Sequence, residues 1–256
     1  MDLGFTPDDI ADIITANPWI LKRSADKQIL PSITQLKEIV GTNSAICKVL
    51  KGCAWFLHHD LEKTMIPNIE FMKSSGICES QITKTLFNFP RLFTLKPETM
   101  KALVQRVDEL GADRNSKMFV HAIRTLASMT RENWELKLQV FRSLGWSEND
   151  ILFVFRSKPS VFTYSDKKIR EVAEFISCRG KYHASFLLLH PEMLSYSLES
   201  RVKPRFQIVE ILKSKNLISK SASLASICKL TDNKFLKRYV LPYKVEVGNL
   251  FKYPTS

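Results

Sequence analysis

The residues best suited to chemistry are basic and fall in three clusters in the C-terminal half of the chain. The clusters are Arg201, Lys203 and Arg205; Lys167, Lys168 and Arg170; and Lys234, Lys237 and Arg238. Lys and Arg bind phosphate groups as point charges or hydrogen-bonding forks, and each neutralised phosphate releases counterions. The clusters therefore predict a phosphate-rich partner, bound with salt-sensitive and mostly sequence-independent affinity. For any single cluster the alternative is a solvated outer face.

The local sequence supports two of these clusters. The first cluster flanks Pro204, which suits the first turn of a helix, where free backbone N–H groups also favour a phosphate. Lys237 follows Lys234 by three residues, a spacing that places both on one helix face.

Charge is unevenly divided along the chain. The 256 residues carry 38 Lys/Arg and 26 Asp/Glu, a net charge of +12. The range 1–128 holds 16 basic and 14 acidic residues, whereas 129–256 holds 22 and 12, a net +10. Because these cations lie within helix-forming stretches, they predict a folded basic surface in the C-terminal half.

Some aromatic residues lie where they could contact nucleobases. Tyr164, Tyr196 and Trp146 lie near predicted turns and are candidates for stacking on exposed bases. Other aromatic residues alternate with aliphatic ones at helical spacing and are predicted to be core: Phe153, Phe155, Phe162, Phe175 and Phe186.

Catalysis and metal binding have no recognisable sequence motif. The chain has no HExxH or paired Cys/His spacing, and no GxxxxGK[ST], GxSxG or GxGxxG. We therefore predict no enzyme activity, no metal and no cofactor. The five cysteines are odd in number and widely spread, which indicates a reducing compartment without disulfides.

Membrane insertion is not predicted, because the longest apolar runs, 151–155 and 186–190, are far shorter than the roughly 18–20 residues of a membrane span. The opening MDLGFTPDDIADII is acidic, so it is neither a secretory signal nor an organelle transit peptide. We expect that any targeting sequence is not present in this chain.

Glycine recurs at a nearly constant interval. Gly41, Gly76, Gly111, Gly145 and Gly180 are 34 or 35 residues apart. Gly4 precedes the first of them by 37 residues, and Asn216 follows the last by 36. Glycine and asparagine tolerate the left-handed conformation that closes helices, so we predict this conformation at all seven positions.

Proline marks two further points of each repeat. Pro18, Pro90, Pro159 and Pro191 fall in mid-repeat, and Pro31, Pro67 and Pro204 open the segment that runs to the next repeat mark. Each unit of about 35 residues thus predicts a helix, a proline-containing turn and a second helix. In the first unit Thr6 caps the helix, and Ile10, Ile13 and Ile14 are expected to form its buried face.

These marks predict an all-α solenoid, a right- or left-wound superhelix of about six helix-turn-helix repeats. The predicted repeats are 4–40, 41–75, 76–110, 111–144, 145–179 and 180–215, with closing helices in 216–256. We expect one domain over 1–256, and a monomer.

Two segments are the most specific in the chain. HPEMLSYSLESRVKPR at 190–205 resembles the proline, leucine, SLE and basic-hydrophobic-x-Pro-Arg signature of the mitochondrial transcription termination factor (mTERF) family, and GWSENDILFVFRSKP at 145–159 is similar to another of its segments. The resemblance is closest to the plant organellar branch. It implies a helical superhelix whose basic concave face binds nucleic acid in mitochondria or chloroplasts.

Three functions follow as hypotheses. The first is binding of organellar double-stranded DNA to regulate transcription termination or initiation, in the mitochondrion or alternatively the chloroplast. The second keeps the fold but binds RNA, in intron splicing or transcript stabilisation. The third is a protein-interaction scaffold whose groove holds a peptide helix.

Overall fold

The computed structural model describes residues 4–57, 60–179, 182, 185–218 and 223–247. These residues form helices joined by turns and loops and include no β-strand, so the all-α prediction is confirmed for them. They form two compact units, Met1–Arg131 and Glu132–Ser256. The expectation of one domain with six repeats stays a prediction. Gly180, which opens the predicted sixth repeat, and parts of the closing segment lie outside the described residues.

The first unit alternates first and second helices of the repeat. Its helices are α1 (Pro7–Ala16), α2 (Leu30–Val40), α3 (Asn43–Gly52), α4 (Met65–Ser74), α5 (Glu79–Asn88), α6 (Pro97–Glu109) and α7 (Phe119–Ala127). First helices pack on first helices, because α1 contacts α3, α3 contacts α5 and α5 contacts α7. The turns within the first three repeats are short 3-10 helices, Pro18–Lys22, Ala54–Leu57 and Pro90–Thr94.

The helices from the junction onward follow the same order. They are α8 (Arg131–Ser143), α9 (Glu148–Ser157), α10 (Asp166–Glu174), α11 (Ser185–Leu189), α12 (Lys203–Ser214), α13 (Leu224–Lys229), α14 (Asp232–Phe235) and α15 (Lys244–Val247). The mid-repeat turns are again 3-10 helices, Pro159–Thr163 and Pro191–Ser195. After α12 the elements shorten, and α12, α13, α15 and Leu236–Val240 enclose a terminal core around Phe235.

First helices begin at the predicted capping residues. Thr6 accepts the Asp9 N–H at 3.1 Å, and the Asp9 carboxylate accepts the Thr6 N–H in return at 3.1 Å. Ser147 and Asp150 repeat this reciprocal pair before α9. The hydrogen bonds from Ser147 lower the pKa of the Asp150 carboxyl. Both boxes satisfy N–H groups that lack a partner within the helix.

Left-handed residues close the repeats, as the glycine spacing predicted. The backbone φ angles are 72° at Gly4, 82° at Gly41, 82° at Gly76, 74° at Gly111, 84° at Gly145 and 58° at Asn216. Six of the seven predicted positions are therefore confirmed, and Gly180 is the one outside the described residues. Asn216 is also the one non-glycine residue with positive φ among the described residues.

The prolines that open second helices have a consequence the sequence did not predict. The N–H groups of Ile29 and Leu30, just before Pro31, bond to carbonyls five residues back instead of four. The same wider turn, Leu198–Val202, precedes α12 and its Pro204. A proline ring clashes with the carbonyl four residues earlier, and a π turn makes room for it. Helical structure therefore begins at Ala25 and Leu198, about one turn before the predicted start.

The predicted core is confirmed at some positions, half-buried at others and wrong at two. Phe155 and Phe162 are fully buried, Phe175 is buried and Phe186 is half-buried. Phe153 is 57% exposed, because α9 buries its other face, which carries Ile151, Val154 and Phe155. Ile10 is 48% exposed although it shares α1 with the buried Ile13. The prediction that Phe153 and Ile10 are core is therefore wrong.

Gly145→Ala tests the left-handed closure. A Cβ at Gly145 would meet no atom within 4 Å, so the cost comes from the backbone φ of 84° alone. We expect Gly145→Ala to lower the free energy of unfolding by about 1–2 kcal/mol, and Gly145→Asn to lower it less, because Asn216 adopts the same conformation. Urea denaturation measures both.

Gly52→Ala is the matched control, because Gly52 ends α3 without positive φ, and its added Cβ would lie 3.4 Å from Pro90. It should be neutral or stabilising. Equal losses at Gly145 and Gly52 would contradict the assignment.

Candidate nucleic-acid interface

The three basic clusters all lie near the starts of second or closing helices in the second unit. Lys167, Lys168 and Arg170 are in the first two turns of α10, and Lys234, Lys237 and Arg238 are in α14 and the π turn Leu236–Val240. Arg201, Lys203 and Arg205 span the π turn before α12 and the first residues of that helix. The clusters thus have similar positions in sequence, but their side chains have different surroundings.

Lys168 reaches the turn of the next repeat. Its ammonium group donates to the carbonyl of Ser195 at 3.0 Å, at the end of the turn Pro191–Ser195. One repeat earlier, Lys137 in α8 donates to the carbonyl of Tyr164 at 2.7 Å and pairs with Asp166. The Lys137 side chain is only 11% exposed. These two lysines therefore join successive repeats.

Arg205 is buried instead of facing a phosphate. Its side chain is 1% exposed and donates to the carbonyls of Ile227 at 2.8 Å and Leu230 at 2.7 Å, and to the Asp232 carboxylate at 2.5 Å. Burial lowers the pKa of the guanidinium, but arginine remains charged at neutral pH. The prediction that Arg205 binds phosphate is therefore corrected: Arg205 holds the closing element to α12.

Arg201 shares the acceptors of Arg205. It donates to the Cys228 carbonyl at 3.4 Å and to Asp232 at 3.2 Å. Burial raises the pKa of the neighbouring Cys228 thiol to about 11, so the thiol is neutral at physiological pH and adds no charge to the site. Asp232, which the sequence analysis did not single out, thus balances two arginines at the end of the repeat array.

The same contact occurs in the first unit with a neutral donor. Asn68 in α4 is fully buried, and its amide donates to the carbonyls of Phe93 at 3.3 Å and Leu95 at 2.8 Å, at the end of the turn Pro90–Thr94. We call this hydrogen bond the inter-repeat bond: it runs from a second helix, or from the π turn before it, to carbonyls at the end of the following 3-10 turn or of α13. Its donors are Asn68, Lys137, Lys168, Arg201 and Arg205.

A sequence signal for these donors exists but was missed. The side-chain donor precedes its carbonyl acceptor by 27 residues in the pairs Asn68–Leu95, Lys137–Tyr164, Lys168–Ser195 and Arg201–Cys228. The interval becomes visible only when the ends of the turns are known.

Several cations of the predicted clusters remain at the surface. Lys167 is exposed and lies 3.8 Å from Glu171, and the exposed Arg170 donates to the Ser143 hydroxyl at 2.9 Å. Lys203 is half-exposed and pairs with Glu199. Such solvent-exposed pairs are weak and exchange readily for a phosphate partner.

The cluster of Lys234, Lys237 and Arg238 is the most accessible of the three. All three side chains are exposed, and none forms an ion pair with another described residue. Arg238 lies over the ring of the buried Tyr239, 5.4 Å from its centroid, which restrains the guanidinium while leaving its donors in solvent. This cluster has the charge and the access that phosphate binding requires.

The candidate stacking residues divide into two classes. Tyr164 and Tyr196 follow equivalent turns with nearly the same backbone, φ −76° and ψ 155° or 153°, and both are half-buried. A cation lies over each ring, Lys168 at 4.4 Å from Tyr164 and Arg201 at 5.5 Å from Tyr196. Trp146 is buried and stacks on Phe141 at 4.9 Å, so it is core and not a base-stacking residue.

No group of three or more His, Cys, Asp and Glu side chains within the described ranges is placed to hold a metal ion. No described helix combines the length and apolar character needed to cross a membrane.

Comparison with known proteins identifies the family. The family model described as mTERF matches residues 2–236. The chain belongs to the mTERF family. Transcription termination factor MTERF8, chloroplastic, of Arabidopsis thaliana is 24% identical over 233 residues, which cover 90% of this chain and 45% of the relative. Transcription termination factor MTERF15, mitochondrial, of the same plant is 24% identical over 176 residues, which cover 68% of this chain and 38% of the relative.

The chain thus spans less than half the length of these two relatives. The names describe both relatives as transcription termination factors, one chloroplastic and one mitochondrial. They also agree with the plant organellar resemblance of the sequence.

Arg205→Ala tests the structural role of the buried arginine. The substitution leaves buried carbonyls without a donor, and we expect it to lower the free energy of unfolding by about 3 kcal/mol or more. Lys203→Ala, two residues away on the same helix, should lower it by less than about 1 kcal/mol. Thermal and urea unfolding of the two variants check this. A similarly small loss of unfolding free energy in both would contradict the structural role and indicate that Arg205 is a surface cation.

Proposed function

We propose that the second unit binds organellar double-stranded DNA and thereby regulates transcription, by termination or initiation. The observation that carries this proposal is the exposed cluster Lys234, Lys237 and Arg238, which lies in the more basic half of the chain and pairs with no carboxylate among the described residues. The contacts extend to Lys167, Arg170 and Lys203, whose exposed partners a phosphate can replace. Family membership supports the proposal, because the relatives are named transcription termination factors.

The binding is mostly electrostatic and depends on phosphates more than on bases. Lys and Arg on helices track the backbone of a duplex without reading its sequence, and sequence preference then needs base contacts or DNA deformability. Because Arg205 and Trp146 are buried, the surface cations are the principal contacts. We place the protein in the mitochondrion, with the chloroplast as the alternative that the relatives' names also allow.

RNA binding is the second candidate, and the two tyrosines favour it. Tyr164 and Tyr196 present equivalent half-exposed rings one repeat apart, each beside a cation. Unpaired RNA bases stack on such rings, whereas bases inside a duplex do not reach them. Tyr164→Ala and Tyr196→Ala would then weaken RNA binding more than duplex binding.

Substitution of the exposed cluster tests the DNA proposal. We expect Lys234→Ala, Lys237→Ala and Arg238→Ala together to weaken duplex binding and to reduce the slope of log K against log salt by about 2–3, since each phosphate contact contributes about 0.9. Fluorescence anisotropy over a salt series measures both quantities, with RNA of the same sequence as competitor.

The matched control removes three exposed lysines from the first unit, Lys37, Lys84 and Lys117, with the same change in net charge. It should leave the slope nearly unchanged. Equal losses in both triple variants would show that net charge alone is responsible. Unchanged binding in the cluster variant would favour the protein-interaction scaffold, and preferential competition by RNA would favour the second candidate.

A further inference from the structure

Two second helices, one in each unit, begin with the same backbone pattern. The π turns Ala25–Ile29 and Leu198–Val202 each follow a serine, Ser24 or Ser197, whose hydroxyl accepts a backbone N–H at 3.2 Å. A proline stands seven residues after each serine. The side chains that follow in the two helices therefore occupy equivalent positions.

The side chains at these equivalent positions differ in charge and length. Three residues before the proline the first unit has Gln28 and the second has Arg201, and directly after the proline they have Ser32 and Arg205. Both arginines donate to the closing element. The Ser32 hydroxyl instead donates to the Gln28 carbonyl at 3.0 Å, within its own helical segment. Because a hydroxyl has one hydrogen to donate, Ser32 forms no inter-repeat bond.

The acceptor side of this bond is nevertheless present. Asn68 directly follows its proline and donates to the carbonyl of Phe93, 25 residues later. Arg205 likewise donates to a carbonyl 25 residues later. The residue 25 positions after Ser32 is Leu57, the last residue of a 3-10 turn that α2 contacts. The carbonyl of Leu57 thus corresponds to the acceptor of an inter-repeat bond.

A cavity of about 380 Å³ lies where the donor side chain would be. Its lining includes Gln28 and Ser32 from the helical side, and Leu57, Asp60 and Glu62 from the end of the turn and the residues after it. Ser32 is only 5% exposed, so a buried polar group forms part of the wall. The cavity therefore combines the acceptor position of the inter-repeat bond with polar walls.

The charges around the cavity favour a cation. Two carboxylates, Asp60 and Glu62, and one ammonium group, that of Lys27, belong to its lining. Hydrogen bonds from Lys63 lower the pKa of the Asp60 carboxyl, which is therefore ionised at neutral pH. The Lys63 side chain is 82% exposed, and so exposed a partner is readily exchanged. A carboxylate likewise balances the buried arginine at the start of α12.

We infer that this cavity binds a small organic cation whose guanidinium or primary ammonium group donates to the Leu57 carbonyl and the Asp60 carboxylate. The bound group forms, from outside the chain, the contact that Arg205 forms between α12 and the closing element. A charged donor suits these acceptors, because hydrogen bonds from a cation are stronger than those from a neutral group. The inference goes beyond nucleic-acid binding and does not depend on it.

Titration with agmatine tests the site, because this molecule carries a guanidinium group at one end and a primary ammonium group at the other. We expect calorimetry to show saturable binding of one molecule per chain. The Tm should rise by about 3–5 °C at an agmatine concentration of ten times the Kd. Magnesium chloride at the same concentration matches the ionic strength of agmatine dihydrochloride and should produce no comparable rise.

Substitutions of Ser32 locate the bound cation. Ser32→Arg supplies a guanidinium group from the chain itself, and we expect it to raise the Tm of the unliganded protein and to weaken agmatine binding more than tenfold. Thr34→Arg is the matched control, because Thr34 is exposed on the same helix and the change in charge is the same. It should alter the agmatine affinity by less than twofold.

Two milder variants test the site without a large new side chain. Ser32→Asn introduces the residue found at the equivalent position 68 and should weaken agmatine binding several-fold. Asp60→Asn changes an exposed carboxylate and should have a similar effect while the fold is kept.

Three results would overturn the inference. One is a response to agmatine that does not saturate or that magnesium chloride reproduces, because screening of surface charge would then explain it. Another is a folded Ser32→Arg or Ser32→Asn variant with unchanged agmatine affinity. The third is unchanged affinity in Asp60→Asn. All of these measurements use the chain without nucleic acid, so they are independent of the outcome for DNA or RNA binding.

Discussion

The inter-repeat bond is the interaction on which the described fold most depends. The carbonyl groups that accept this bond lie at the ends of three 3-10 turns and of α13, and burial of such groups without a donor is costly. A side chain of the preceding second helix supplies the donor: Asn68 in the first unit, Lys137, Lys168, Arg201 and Arg205 in the second. Apolar packing brings the helices together, but this directional bond fixes which turn meets which helix.

Positive charge consequently has two roles in this protein. Lys137 and Arg205 satisfy carbonyls at the interior, where their charge is balanced by Asp166 and Asp232. Lys234, Lys237 and Arg238 carry charge that no described carboxylate neutralises. The net charge of the C-terminal half is therefore larger than the exposed positive charge that a polyanion can contact. A variant of Lys168 or Arg201 could lose binding because the contact between repeats is disturbed, as well as because a phosphate contact is lost.

Local features were predictable because their causes are local. Capping by Thr6 and Ser147, and left-handed closure at Gly41 or Gly145, depend on a few neighbouring residues. The structural role of Arg205 was not predictable, since it depends on carbonyls more than twenty residues away in the closing element. The exposure of Phe153 was not predictable either, because helical spacing alone does not determine which face of α9 packs against the core.

Whether a residue is buried in a repeat array depends on the element packed next to it as much as on the residue's own type. Ile10 and Ile46 have the same side chain and the same position after a cap, yet one is half-exposed and the other fully buried. A repeat cannot enclose its own apolar face, so each array needs a different element at either end. In the second unit that element is the group of short helices held by Arg201, Arg205 and Asp232. At α1 the polar contacts are those of Asn43 with the Gly4 carbonyl and of Lys51 with Asp12, and the apolar positions Ile10 and Leu21 remain exposed, because burial there depends on a neighbouring element and not on the residue type.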